Sequence, residues 1–230
     1  MIDIVTINKD NKDGLEKTIL SVINQTKFDE INYIIIDGGS TDGSKEIIKK
    51  YKKYFGWSTS RKDKGIYNAM NKSLEHLQGD YVLFLNSGDY LVSNDVISKV
   101  LKYLHDETFI YGDEVLRYKQ KRIGVVNKEV SYVEIEKPLY FPPIINDGFF
   151  NTNALPHQAT FIKCDYMKTH PYDENYRIIS DWIMFREGVL ENKVSYKHIP
   201  VVISSFDMYG ISSNSGGMNE INDYLSKKGK

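Results

Sequence analysis

The chain has a single cysteine, Cys164, among its 230 residues. An intrachain disulfide and a cysteine-rich zinc site are both excluded, and one lone thiol fits a reducing compartment. An excess of charge of one sign is also missing, because 30 Lys and Arg stand against 31 Asp and Glu for a net charge of −1. The chain as a whole therefore offers no basic field for nucleic acid. No apolar run approaches the roughly 18 to 20 residues that a membrane span needs. The opening residues, Met1-Ile-Asp-Ile-Val-Thr-Ile, lack the basic start and long apolar core of a signal peptide and read directly as a strand. A cytoplasmic protein is expected, with any membrane contact peripheral.

Familiar nucleotide and hydrolase signatures are absent too. There is no G-x-x-x-x-G-K-[ST] loop, no G-x-G-x-x-G after a strand and no G-x-S-x-G elbow. Asp37-Gly-Gly-Ser-Thr-Asp42-Gly lacks the alternating oxygen ligands and distal Glu of an EF-hand. No internal repeat or low-complexity segment interrupts the chain.

What is present suits one large α/β domain. The hydrophobic content of 41% supports a sizeable core at this length. Ile2 to Ile7 reads as a first strand, and Asp13-Gly-Leu-Glu16 as a capping box opening a helix through Asn24, with Leu15, Ile19, Val22 and Ile23 on one face. Residues 31 to 37 form a second strand. The helix from Ser44 to Phe55 sets Ile47, Ile48, Tyr51 and Phe55 against a lysine-rich face. A short strand over Trp57 to Ser60, a helix over Gly65 to Leu77, a strand over Tyr81 to Leu85 and a helix around Asn94 to His105 continue the alternation. Such βαβα order predicts a parallel sheet. Four of the six prolines fall between 138 and 156, which predicts a long loop in the second half.

Two of these strands end on acids. Tyr33-Ile-Ile-Ile-Asp37 is an apolar run of the kind buried on both faces of a parallel sheet, and it stops on Asp37 before Gly38-Gly39-Ser40-Thr41-Asp42. Gly38 and Gly39 allow close backbone approach, and Thr41 or Asp42 can cap the next helix. The Tyr81 to Leu85 strand is followed by Asn86-Ser-Gly-Asp89. Asp37 and Asp89 are thus expected at the ends of neighbouring strands, on the edge where open α/β sheets bind ligands. A carboxylate there can hold a hard divalent cation such as Mg²⁺ or Mn²⁺ with substrate phosphates. A strand, a turn and a capped helix with no ligand would produce the same local patterns.

Six ordered blocks carry a resemblance to a known family. Thr6-Ile-Asn8, Ser21-Val-Ile-Asn-Gln25-Thr26, Ile36-Asp37-Gly-Gly-Ser40-Thr-Asp42-Gly, Lys62-Asp63-Lys64-Gly65-Ile-Tyr67-Asn-Ala-Met-Asn71, Gly79 through Asp89, and Ser180-Asp181-Trp182 resemble inverting family 2 glycosyltransferases. Within that family they are similar to bacterial enzymes of exopolysaccharide, capsule and O-antigen assembly, the colanic-acid-like branch included. The resemblance implies a GT-A fold, α/β, with a Rossmann-like nucleotide-binding sheet and a mixed acceptor-side half. It implies one domain over 1–213, divided into a nucleotide-sugar half (1–112) and an acceptor half (113–213), followed by a polar tail (214–230). The implied donor is a nucleotide sugar, a UDP-sugar, and the implied acceptor a saccharide or lipid-linked saccharide.

Carried over residue by residue, the resemblance puts Thr6 and Asn8 in the nucleoside pocket and Asp37 on the uracil. It sets Asp63 and Lys64 near the base and diphosphate. Asn86, Ser87 and Asp89 fall on the metal-binding DxD segment, with Asp89 the direct contact for Mg²⁺ or Mn²⁺. The family pattern is acidic where this chain has Asn86 and Gly88, so fewer charged ligands remain for the ion. Asp181 is the implied catalytic base, and it is equally placed to cap a helix. Leu155-Pro156-His157-Gln158 resembles an acceptor-side block in which His157 and Gln158 contact sugar or phosphate. Ser205-Phe206-Asp207 through Ser213 resembles a loop that closes over the donor.

Two other readings stay open at this stage. One is a catalytically inactive nucleotide-sugar-binding or assembly protein, suggested by the eroded metal segment. The other is a sugar nucleotidyltransferase, although Val5-Thr-Ile-Asn-Lys-Asp10 lacks the glycine-rich basic loop of that class. The lysines from Lys45 to Lys53 and the Lys227-Lys-Gly-Lys230 end suit either anionic lipid or plain solvation.

Overall fold

In the computed structural model, residues 1–123, 130–208 and 216–229 are described. The first half alternates as expected: β1 (Ile2–Asn8), α1 (Lys12–Ile23), β2 (Ile31–Asp37), α2 (Ser44–Tyr51), β3 (Trp57–Ser60), α3 (Ile66–Lys72) and β4 (Tyr81–Phe84). The short β5 (Tyr90–Leu91) and α4 (Val96–Val100) follow. The second half adds β6 (Phe109–Ile123), β7 (Val130–Leu139), α5 (Asp147–Phe150), β8 (Thr160–Lys163), α6 (Cys164–Thr169), α7 (Ser180–Arg186), β9 (Tyr196–Asp207) and α8 (Gly216–Lys227). All nine strands join one sheet in the order β3-β2-β1-β4-β8-β6-β9-β5, with β7 paired to β6. β3, β2, β1 and β4 run parallel, and β8 then pairs antiparallel with both β4 and β6. The result is a mixed α/β sheet, parallel over its first four strands.

The apolar runs explain this burial. Along β1 and β2, Val5, Ile7, Ile34 and Ile36 enter one core, while Ile2, Ile4, Tyr33 and Ile35 enter a second core on the opposite face. Strands covered on both sides need continuous rather than alternating hydrophobicity, which is what the sequence has. Leu15, Ile19 and Val22 of α1 are fully buried in the second core. Each such side chain contributes about 1.5–3 kcal/mol by leaving water.

Local details differ from the sequence reading. α1 is capped by Asn11, whose Oδ1 accepts from the Gly14 amide at 3.2 Å, and not by Asp13. Glu16 instead accepts from Lys50 Nζ (2.7 Å) and Tyr51 Oη (2.8 Å), tying α1 to α2. Asp42 does serve α2, accepting from the Ser44 amide at 3.1 Å and its hydroxyl at 2.6 Å. The helices expected over 44–55, 65–77 and 94–105 each tighten into a 3₁₀ turn before their expected ends. Asp37 and Asp89 do not end neighbouring strands, because β1 lies between β2 and β4. Residues 138–156 are largely loop, interrupted by α5. The stretch read as a polar tail contains a helix, α8, with Tyr224 buried in the first core.

Candidate active site

A cleft of about 510 Å³ opens at the carboxyl ends of β1 and β4. Asn8, Asp63, Tyr67, Asn86, Asp89 and His157 line it, together with Arg177, Asp181 and Asp207. A second cavity, of about 310 Å³, lies at the opposite strand ends beside Met1 and Tyr81, and it holds none of the catalytic, nucleotide-binding or metal-binding residues expected from sequence.

At the carboxyl ends of β1 and β2, Asn8 and Asp37 sit opposite each other in register. Asp37 is completely enclosed, and its two oxygens accept from Asn8 Nδ2 (2.7 Å), Ser40 Oγ (2.6 Å), the Ser40 amide (3.0 Å) and Ser60 Oγ (2.5 Å). Burial raises its pKa, but these four donors outweigh burial and hold the carboxyl below its ordinary range. A ligand reaching Asp37 would have to replace one of them. Asn8 does line the cleft, and its Oδ1 is buried with no partner. Thr6 is also buried, hydrogen-bonded to Tyr33 Oη at 3.0 Å and outside the cleft lining. Asp63 lines the cleft and accepts from the Gly65 amide at 3.1 Å, whereas the exposed Lys64 is not among the lining residues.

The turn after β4 brings Asn86, Ser87 and Asp89 to the cleft. Gly88 adopts φ 107°, a conformation that favours glycine over any acid. Its carbonyl accepts from Arg117 Nη2 at 2.8 Å, and the same nitrogen lies 3.1 Å from Asp207 Oδ2. Asp89 accepts from the Asp207 amide at 2.8 Å and is 4% exposed. Burial pushes its pKa up to about 7, against the pull of that amide and of the His157 and Arg117 charges. Among the described residues no three His, Cys, Asp or Glu side chains form a metal-binding group. The acceptors around this turn include the Asp89 carboxylate and Asn86 Oδ1, which is buried without a partner, and the Asp207 carboxylate, paired with Arg117, lines the same cleft. Such a sparse set fits a hard cation that completes its shell with diphosphate and water.

One histidine ring away from Asn86, Asp181 lies in the first turn of α7. Its Oδ1 accepts from Tyr67 Oη at 2.8 Å and from the Trp182 amide at 2.9 Å, and its Oδ2 lies 2.9 Å from His157 Nδ1. The backbone residue at the cap position is Ile179, so the expected capping role is replaced by a bond to the residue just after Asp181. His157 Nε2 lies 3.1 Å from Asn86 Nδ2. With Asn86 donating to Nε2, the ring proton sits on Nδ1 and points at Asp181. Full protonation requires the Asn86 amide to turn and present its unpartnered Oδ1.

Burial raises the Asp181 pKa, yet the hydrogen bond and charge of His157, with Tyr67 and the Trp182 amide, outweigh it and hold the carboxyl low. Burial lowers that of His157, and Asp181, with Asp89 and Glu114 behind it, raises it above the ordinary imidazole value. Tyr67 stays protonated, its pKa raised first by burial and then by the Asp181 charge. The arrangement can hold an ionised carboxylate in one orientation beside a cleft, which is what a proton acceptor requires.

The structure thus brings together Asn8, Asp63, Asn86, Ser87, Asp89, His157 and Asp181. It leaves Thr6, Asp37 and Gln158 behind the cleft wall, and Lys64 outside the lining. Gln158 is buried and donates to Glu114 Oε2. Glu114 itself, raised to about 7 by burial, was not legible as a site neighbour, nor was Arg117, because both arrive on β6 with no motif around them. Tyr67 lay inside a recognised block without an assigned role. Residues 209–213 of the expected donor-covering loop lie outside the described residues, while Phe206 and Asp207 line the cleft.

The model of the glycosyl transferase family 2 matches residues 2–169. An uncharacterized glycosyltransferase of Mycobacterium tuberculosis is 26% identical over 216 residues, covering 93% of this chain and 77% of that one. A PGL/p-HBAD biosynthesis glycosyltransferase of Mycobacterium bovis is 26% identical over 202 residues, covering 85% of this chain and 72% of its own length. Among solved structures, S. aureus TarS 1-349 in complex with UDP-GlcNAc superposes with a TM-score of 0.69 at 14% identity, over 90% of this chain and 58% of that one. A mannosyltransferase from Pyrobaculum calidifontis in complex with GDP-Man and Mn²⁺ gives 0.62 at 13% identity, over 89% of this chain and 56% of that one. The structural likenesses establish the fold, and the sequence match establishes the family. The chain belongs to glycosyl transferase family 2.

Proposed function

We propose that this family 2 glycosyltransferase moves a sugar from a UDP-sugar to a hydroxyl of a saccharide or lipid-linked saccharide, with inversion and Asp181 as base, in the assembly of cell-surface polysaccharide. The observation that carries the reading is the position of Asp181, which faces the same cleft as Asn8, Asp63 and Asp89 while being held ionised by His157 and oriented by Tyr67. The UDP-GlcNAc complex of TarS supports the choice of donor.

The chemistry follows from that placement. An acceptor hydroxyl donates to the remaining lone pair of Asp181 Oδ2, and its oxygen attacks the anomeric carbon from the side opposite the diphosphate. As the new C–O bond forms, the bond to the diphosphate oxygen breaks and its electron pair leaves with UDP. The hydroxyl proton passes to Asp181. A carboxylate of low basicity suffices, because the hydroxyl becomes strongly acidic only as attack proceeds. Tyr67 and the Trp182 amide fix Oδ1, so Oδ2 is the oxygen left to face the acceptor. Asn8 and Asp63 bind the nucleoside, with Asp37 orienting Asn8 behind them. Asp89, with Asn86 Oδ1, would hold Mg²⁺ or Mn²⁺ against the diphosphate. When bound, that cation supplies positive charge to the leaving group.

A panel of nucleotide sugars screened for protection against thermal unfolding tests the donor, since a specific ligand stabilises by mass action. Protection by UDP and UDP-sugars above other nucleotides is expected. Product anomer analysis by NMR then tests inversion, and a retained configuration would remove Asp181 from the role of base in a direct displacement.

A further inference from the structure

We infer that Glu220, on the C-terminal helix α8, is a positioning residue for Asp181: it holds the backbone that enters α7 and so sets where the base points. The inference rests on Asp181 as the base. The segment leading into α7 has three consecutive amides that meet no backbone carbonyl of a helix. Glu220 takes all of them, with Oε1 accepting from Arg177 N at 3.1 Å and Oε2 accepting from Ile178 N at 2.9 Å and Ile179 N at 3.3 Å. From the other side, Tyr67 Oη donates to the Ile178 carbonyl at 2.6 Å and also contacts Asp181 Oδ1 at 2.8 Å. The same peptide is therefore gripped at its amide by α8 and at its carbonyl by α3.

A carboxylate accepting several amides is a strong, charge-assisted set of bonds. Its loss would free Ile178 and Ile179, and Asp181 lies two residues further on. α8 is itself firmly seated. Tyr224 is 5% exposed, meets the Trp182 ring edge-on at a centroid distance of 5.7 Å, and donates to Glu187 Oε1 at 2.8 Å. Lys228 pairs with Glu187 at 2.8 Å and Glu191 at 3.0 Å, just beyond α7. Glycines at the start of α8 permit the close approach, since a Cβ on Gly216 would stand 3.0 Å from Ile178 Cδ1. The helix thus braces α7 along its length, and Glu220 is the point at which the brace reaches the residues before the base.

The test reads the geometry of Asp181 without needing a substrate. The Trp182 amide donates to Asp181 Oδ1 at 2.9 Å, and Glu220 holds the Ile178 and Ile179 amides just before it. Hydrogen exchange at these three amides, followed by NMR, therefore reports whether the approach segment and the Asp181 carboxylate are in place. Glu220→Ala should speed exchange at all three by about tenfold or more, with Glu220→Gln, which keeps one acceptor oxygen, between Ala and wild type. If Glu220→Ala disturbs folding, the Gln variant alone decides. Exchange at the Trp182 amide identical to wild type in a folded Glu220 variant would overturn the inference. In turnover, Glu220→Ala should reduce kcat by about tenfold or more and leave the donor KM within twofold, whereas a helix that only stabilised the fold would change the melting temperature and neither quantity. Failure of the base itself would look different, because Asp181→Asn would then keep full transfer while the Glu220 variants still loosened the Trp182 amide.

Discussion

Asp181, on the wall built by α7, receives two hydrogen bonds on Oδ1 and a histidine on Oδ2, whereas Asp89, on the wall built by the turn after β4, receives one backbone amide and little else. Asp181 is half-buried and Asp89 buried in the lining of the same cleft. One is held below the ordinary range and the other is pushed up to about 7. Environments that drive two carboxyls apart assign them different work. The group already ionised without ligand is suited to accept a proton, and the group that resists ionisation is suited to wait for a cation.

The contrast breaks most decisively at Asp181. Asp181→Asn keeps the size and the bond from the Trp182 amide but removes the charge, so transfer should fall by about 10² to 10⁴ with donor binding and folding intact. Steady-state kinetics with an authentic acceptor check this, and near wild-type turnover would move the search for a base to Asp207 or His157. Since the Asp181 carboxyl is held below the ordinary carboxylate range, an acid limb in the pH–rate profile near 7 should come from Asp89 instead.

Asp89 offers the next largest effect, in stability. Its folded pKa of about 7 exceeds the ordinary value of 3.8, so between those values the folded protein holds a proton that the unfolded chain has lost. Stability from this group therefore falls as pH rises from about 4 to about 7, and the loss is complete above that window. Above neutral pH in metal-free buffer Asp89→Asn should melt at a higher temperature than wild type, its stability greater by about a few kcal/mol, on the order of 1.4 kcal/mol for each pH unit of displacement. No difference should remain below about pH 4. The same variant should lose the part of UDP binding that Mg²⁺ or Mn²⁺ provides. An Asp89→Asn protein with unchanged melting at every pH would show that the two walls do not differ in this way.

Asp37 sharpens the contrast from behind the donor wall. Asp37→Ala leaves donors from Asn8, Ser40 and Ser60 unsatisfied in a closed space, which should cost about 1–3 kcal/mol of stability. UDP affinity without metal should weaken over a similar range, because Asn8 loses the partner that orients it. Calorimetric titration with UDP, run beside thermal unfolding, separates the two effects. A loss of stability alone would make Asp37 a strut rather than a binding group.

The parts of the molecule that could be read in advance share a physical origin. β1, β2 and β4 announce themselves because strands buried on both faces must be continuously apolar, and Asp37 and Asp89 are conspicuous where those runs stop. The groups around Asp181 follow a different logic. Tyr67 and His157 reach it across 114 and 24 residues of chain, and Glu220 reaches its approach segment across about forty, so no local spacing records them. Arg117 and Glu114 sit on a strand whose alternation says nothing of the cleft beyond it. The expected tail was misread for a related reason. Its sequence is polar on average, and only the packing of Tyr224, Ile221 and Leu225 against the first core turns it into a brace.

The smallest expected effect falls at Lys64, where resemblance and geometry part. The block Lys62-Asp63-Lys64-Gly65 places a lysine near the diphosphate, yet in the structure Asp63 faces the cleft and Lys64 is exposed, with its amide bonded to Asn68 Oδ1 at 3.1 Å. A solvated ammonium outside the lining contributes little, because a surface charge is screened within about 8–10 Å at physiological salt and worth at most about 1 kcal/mol. Lys64→Ala should therefore change UDP affinity by less than about threefold, and what change there is should vanish as salt is raised. Titrations at low and high ionic strength check both statements. A tenfold loss that survives high salt would mean that Lys64 is desolvated against the diphosphate in the complex, which requires the segment around Gly65, held at φ 133°, to fold inward when the donor binds.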